Sequence, residues 1–207
     1  WVQVKNPEAM FQETQDADYL AIVEGRVRKD YLTWCEQFLD LIEASSTAFA
    51  GQTINDVGCC AGQFYKCLKR RGLPLIYRGF DIEPAYLSIA TVVFPELAGL
   101  LYLRDIELEA LPPAGITVVS VTLEHLKKPD DTVARLLDGT QSLAIFRTFL
   151  GETAFEQWRH KPNAAKPYRI RQFERDAFVK NIETCGFRAT VVEDRYTQSR
   201  PCKIDDG

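Results

Sequence analysis

The chain has no long apolar run, no Cys-x-x-Cys pair and no strong excess of one charge. Nowhere in its 207 residues does a stretch approach the roughly 20 apolar residues that span a bilayer, so a membrane-spanning helix is excluded. The six cysteines, Cys35, Cys59, Cys60, Cys67, Cys185 and Cys202, lack metal-site spacing and form no dense disulfide framework. Reduced thiols in a cytoplasmic chain are the expectation, with no metal site. A net charge of -4 and a pI near 5.3 argue against a basic surface that wraps nucleic acid. No charged segment leading into an apolar one opens the sequence, so no signal peptide is read there. Trp1 in place of methionine is what a fragment or trimmed chain would show.

What is present is a 46% hydrophobic composition, ordinary for a globular domain, with strands and helices in alternation. From Asp30 to about Phe49, apolar residues recur at helical spacing, and Asn6 to Arg28 reads as partly helical. Residues 1–50 are therefore an N-terminal helical extension. Residues 51–207 form the main domain. Within it, Thr53 to Val57 reads as a strand, followed by a glycine-bearing turn and a helix with Phe64, Cys67 and Leu68 inward. Lys69, Arg70 and Arg71 suit that helix's negative end, Gly72 its left-handed stop, and Pro74 blocks continuation. Further strands are predicted at Leu75 to Phe80, Gly99 to Arg104, Ile116 to Val121, Ser142 to Phe146 and Phe187 to Val192. Helices are predicted from Pro84 to before Pro95, over Asp130 to Asp138, and over Phe173 to Cys185.

This alternation predicts an α/β fold, a Rossmann-like, doubly wound and mostly parallel sheet with helices on both faces. About 151–172 the rhythm breaks. Trp158, Arg159, His160, Lys161, Tyr168, Arg169 and Arg171 with two prolines read as an inserted lid-like loop over the sheet's C-terminal edge.

In such sheets ligands bind beyond the strands' carboxyl ends, where strand order reverses. Gly58 and Gly62 let the backbone turn tightly there, and the next helix presents its N–H groups. Asp56, Asp81 and Asp105 close three consecutive strands. Jointly they describe a pocket for a nucleoside, with Asp81 placed to accept ribose hydroxyls. A dinucleotide oxidoreductase would need glycines where Cys60 and Gln63 stand.

The stretch Ile54-Asn55-Asp56-Val57-Gly58-Cys59-Cys60-Ala61-Gly62 resembles the first motif of class I S-adenosylmethionine-dependent methyltransferases. Gly79-Phe80-Asp81-Ile82-Glu83-Pro84-Ala85-Tyr86-Leu87 is similar to the second, and Val118 to Leu126, with Thr122 and the Glu124-His125 pair, to the fourth. The resemblance runs from about Thr53 to Val192. It implies S-adenosyl-L-methionine as cofactor, with Gly58 and Gly62 passing the methionine part, Asp81 and Ile82 at the ribose, and Asp105 and Ile106 facing the adenine. Asp56 would order the loop, and Thr122 would line the pocket. Cys60 departs from the pattern by replacing the middle glycine, which places a side chain where the cofactor comes closest. A seventh, antiparallel strand, usual in the family, has only a weak signal after Val192.

Transfer from a sulfonium is an in-line displacement, in which orientation alone can supply about 7 to 11 kcal/mol. A hydroxyl acceptor gains from a base. His125, just after the fourth strand, is the stronger candidate, and His160, between Arg159 and Lys161, the weaker. The expected acceptor is a small polar molecule such as a sugar or natural-product intermediate. RNA or protein methylation, with the basic stretch from Arg147 to Arg171 on the partner, is the alternative, as is a catalytically silent S-adenosylmethionine-binding module.

Overall fold

A computed structural model describes residues 17–29, 31–45, 48–159, 168–198 and 200. Among the described residues, two helices precede the first strand, α1 (Ala17–Lys29) and α2 (Thr33–Ala44). The second is shorter than the expected span from Asp30 to Phe49. It ends where the Ser45 N–H and hydroxyl both turn back onto the Ile42 carbonyl, at 3.2 and 2.7 Å, and its buried face carries Cys35, Phe38, Leu39 and Ile42. The helical reading of Asn6 to Arg28 is met by α1 in part, and residues 1–16 lie outside the described residues.

The predicted alternation follows in β1 (Thr53–Val57), α3 (Gln63–Arg71), β2 (Ile76–Asp81), α4 (Pro84–Val93), β3 (Leu101–Leu103), β4 (Ala114–Ser120), α5 (Pro129–Asp138) and β5 (Thr140–Arg147). Short 3-10 turns at Pro95–Leu97 and Leu123–His125 lie between them. All five strands are parallel, in the order β3-β2-β1-β4-β5. Strand order reverses between β1 and β4, which opens a crevice at their C-terminal ends. The sheet is Rossmann-like and covered on both faces. Alternate residues of β4 face opposite ways: Ile116 and Val118 join α2 and α3 in one core, and Val119 joins α5 in the other. Both sets are at most 1% exposed, as a parallel strand between two helical layers requires.

Glycine sets both ends of α3. Gly62 (φ +84) precedes it and Gly72 (φ +69) stops it, its N–H reaching the Leu68 and Lys69 carbonyls. Phe64, Cys67 and Leu68 are all buried, and each large apolar side chain so removed from water contributes about 1.5 to 3 kcal/mol.

Two expectations are corrected. The segment at 151–172 is not an irregular loop throughout: β6 (Leu150–Gly151), β7 (Phe155–Arg159) and β8 (Tyr168–Glu174) form a second sheet in the order β6-β8-β7. Residues 160–167 between β7 and β8 lie outside the described residues. After α6 (Arg175–Thr184), the expected strand from Phe187 to Val192 does not form. Val191 and Val192 are about half exposed, and no strand among the described residues pairs with them. The chain turns instead onto α2, where Gln37 donates to the Glu193 carbonyl at 2.6 Å and accepts from the Arg195 N–H at 3.0 Å. No strand follows α6 among the described residues, so the antiparallel strand weakly signalled after Val192 is not seen there. Nor is any helix among them long and apolar enough to cross a membrane.

Candidate active site

The turn after β1 is folded onto the end of β2. The Gly58 and Cys59 N–H groups both donate to the Phe80 carbonyl, at 2.8 and 3.0 Å. Gly58 has φ +70, and a Cβ there would stand 2.1 Å from Thr122 Oγ1, so the turn is pressed against the end of β4. Only glycine fits. Cys60 also adopts left-handed backbone, with φ +50, and its N–H donates to Asp81 Oδ2 at 2.8 Å. Its side chain packs with Val23, Val27 and Tyr86 of α1 and α4, and Gln63 Nε2 donates to its Sγ at 3.6 Å. Burial pushes that thiol up to about 12. Gly62 faces Phe94 and Leu97, 3.5 Å from where its Cβ would stand, and so lies behind the turn rather than on the cavity wall.

Asp56 is buried, accepts the Tyr77 hydroxyl at 2.7 Å, and is pushed up to about 7 by burial, against the pull of that hydrogen bond. Asp81 accepts the Glu83 N–H at 2.9 Å on Oδ1, in addition to Cys60 on Oδ2. Burial raises it to about 6. Each oxygen retains accepting capacity, since a carboxylate offers about four lone-pair sites. Asp105, also buried, accepts the Glu107 N–H at 2.9 Å.

These groups share a cavity of about 540 Å³ at the strands' C-terminal ends, well within the ~300 to 1,000 Å³ of small-molecule sites. Asp56, Gly58, Cys60, Asp81, Ile82 and Asp105 line it, as do Ile106, Thr122 and His125. His160 lies outside the described residues. His125 Nδ1 donates to the Arg169 carbonyl of β8 at 2.7 Å, which leaves the proton-accepting lone pair on Nε2. Its neighbour Glu124 is fully buried away from the cavity: Oε2 accepts the Thr148 hydroxyl at 3.3 Å, Oε1 has no hydrogen-bond partner among the described residues, and burial raises the carboxyl to about 7. Val121, between β4 and Thr122, is a β-branched residue at φ +51 on the cavity wall. Such outliers gather at functional sites.

No family model matches the chain, and no curated protein matches its sequence. Solved structures match its fold. A provisional S-adenosylmethionine-dependent methyltransferase from Listeria monocytogenes aligns with a TM-score of 0.60 at 14% identity, over 80% of this chain and 86% of that one. A second S-adenosylmethionine-dependent methyltransferase, from Clostridium acetobutylicum ATCC 824, gives 0.56 at 14% identity over 81% and 86%. The N-terminal domain of EvdMO1, solved with SAH and D-fucose, gives 0.55 at 15% identity over 87% and 89%.

The chain has the methyltransferase fold. Within that fold the first three strand ends supply the carboxylates that the sequence singled out. The cavity is also lined by residues that the sequence did not assign to it: Trp34 on α2, Arg26 on α1, Arg147 at the end of β5, Phe149 just after it, and Tyr196 beyond α6. Of these, Arg147 carried a readable signal, because it closes a strand of the methyltransferase sheet just as Asp81 does. The others reach the cavity through packing of the extension and the C-terminal segment, which no strand-end rule anticipates.

Proposed function

We propose that this chain is an S-adenosylmethionine-dependent methyltransferase that modifies a hydroxyl or amine of a small acceptor. The observation that carries this reading is Asp81, a buried carboxylate with no cationic partner among the described residues, held by two backbone N–H groups at the mouth of a strand-end cavity. A ribose diol fits it, since two O–H donors supply what the burial of an anion lacks. Asp105 and Ile106 stand one strand further out, on the same wall, where an adenine ring would lie.

When bound, the cofactor supplies a methyl group on a sulfonium for in-line displacement. The protein's work is positional. The Gly58 turn, fixed by Phe80 and Thr122, sets the depth of the cradle, and Asp81 ties that turn to β2. His125, with Nδ1 committed to the Arg169 carbonyl, would take the acceptor's proton on Nε2. The silent-module reading rests on Cys60 standing where the family has glycine. Its support is weakened because Cys60 takes the backbone conformation of a glycine, and its N–H still reaches Asp81.

Calorimetric titration with S-adenosylhomocysteine tests the proposal. Binding is expected for the native chain, and on the order of tenfold or more weaker binding for Asp81→Asn, whose amide turns a donor toward a donor. Unchanged affinity in the variant would remove Asp81 from the site, and no binding at all would sink the reading.

A further inference from the structure

The cavity carries both signs of charge. Asp56, Asp81, Asp105 and Glu107 line it together with Arg26, Arg104, Lys127 and Arg147. At the end of β5, Arg147 is held in one specific way. Its Nε and Nη2 donate to the two oxygens of Asp194, at 3.0 and 3.2 Å. Asp194 is itself fixed by the Thr197 N–H at 3.0 Å and hydroxyl at 2.5 Å. The guanidinium carbon lies 5.1 Å from the Tyr196 ring centre, and the side chain is 14% exposed.

A guanidinium has five N–H donors in two usable forks, one side-on through Nε and Nη2 and one end-on through Nη1 and Nη2. Asp194 occupies the side-on fork. On the end-on fork, Nη1 donates to Ser120 Oγ at a long 3.5 Å, and Ser120 itself lines the cavity. A planar donor pair is thus held rigid by one carboxylate and presents its second edge beside Ser120. Trp34 and Phe149 add flat apolar walls to the same cavity.

We propose that the end-on fork of Arg147 binds a carboxylate of the methyl acceptor, whose apolar, planar body lies against Trp34 and Phe149. This rests on the methyltransferase reading above and adds the substrate class: a small aromatic or similarly flat acid bearing the hydroxyl or amine to be methylated. Asp194 is the positioning residue. The fork orients the acid by meeting its carboxylate in plane beside Ser120.

Benzoate and its neutral isostere benzamide are the probes, titrated by ligand-observed NMR with and without S-adenosylhomocysteine. Benzoate is expected to bind at least about tenfold more tightly than benzamide, the difference a charged hydrogen-bonded pair supplies. Arg147→Gln should bring benzoate down to the level of benzamide. Asp194→Asn should weaken benzoate binding less than Arg147→Gln does, because the amide oxygen keeps part of the carboxylate's bonding while its NH2 faces a donor on the other side, and the guanidinium charge loses its competitor. Equal binding of the two probes, absence of benzoate binding, or loss in Asp194→Asn as large as in Arg147→Gln overturns the assignment. That last outcome would mark the pair as scaffold. Failure of S-adenosylhomocysteine to bind counts against the methyltransferase reading alone, since the benzoate comparison is also made without it.

Discussion

Replacing Gly58 by alanine tests the geometry of the cradle most directly. The added Cβ meets Thr122 Oγ1 at 2.1 Å and both Cβ and Cγ2 of Thr122 at 3.2 Å. Rotation of the threonine does not relieve this, because its own Cβ is already too close and another substituent would swing into the vacated place. Alanine at φ +70 adds backbone strain of roughly 1 to 2 kcal/mol, and overpacking adds about 1 to 3 kcal/mol. Gly58→Ala should therefore destabilise the fold by about 2 to 5 kcal/mol, the sum of those two ranges. The two parts separate in a double-mutant cycle with Thr122→Ala. That second change removes Oγ1 and Cγ2, and alone costs about 1 kcal/mol through the lost bond to the Ser120 carbonyl. In the double variant most of the overpacking should vanish while the strain persists, giving a coupling of about 1 to 3 kcal/mol. Urea denaturation followed by circular dichroism reads all four corners. A Gly58→Ala cost below about 1 kcal/mol would refute the strained, close-packed turn, and additive single effects would refute the contact with Thr122.

Three further outcomes follow from the same geometry. Burial raises Asp56 and Glu124 to about 7 and Asp81 to about 6. The folded chain thus holds these protons more tightly than the unfolded one, and their contribution to stability is full below about pH 4 and lost as pH rises through about 6 to 7. The surface carboxylates held low by Arg and Lys partners, such as Glu36 and Glu96, titrate below that window, so a urea midpoint higher at pH 8 than at pH 5.5 would contradict the burial of the three. Cys60→Gly should be about 1 kcal/mol more stable than Cys60→Ala, since both lose the thiol but only glycine is at ease at φ +50; alanine equal to glycine would place Cys60 in ordinary backbone. His125→Asn retains a donor for the Arg169 carbonyl but no basic nitrogen, so turnover on a hydroxyl acceptor should drop about 10²- to 10⁴-fold with S-adenosylhomocysteine affinity unchanged. Undiminished turnover would take His125 out of the chemistry.

Local chemistry decided which parts of the fold could be read from the sequence. The ends of α3 were legible to the residue because Gly62 and Gly72 both take positive φ, a demand that glycine meets at little cost. The segment from Phe187 to Val192 misled for the opposite reason. Its composition is strand-like, yet a strand exists only where a second backbone offers a free ladder, and sequence records propensity rather than partners. The hairpin of β7 and β8 was readable in principle. Tyr168-Arg169-Ile170-Arg171 alternates apolar with basic residues, but Pro162, Pro167 and the density of cations drew that stretch toward a loop.

The site divides along the same line. Asp81 and Asp105 were found because the carboxyl ends of parallel strands converge on the crevice whatever the side chains are. Trp34 and Tyr196 were missed because they arrive by tertiary packing from opposite ends of the chain, the latter through Gln37 standing in for a strand's backbone at Glu193 and Arg195. Cys60, where the resemblance expects glycine, lines the cavity as the sequence implied. Its left-handed backbone lets the thiol pack with α1 and α4 and keeps the N–H on Asp81. The N-terminal helix thereby becomes part of the cavity wall. Helix α1 places Tyr19 and Arg26 there, and Cys60 packs against that same helix, a side-chain contact that glycine would lack.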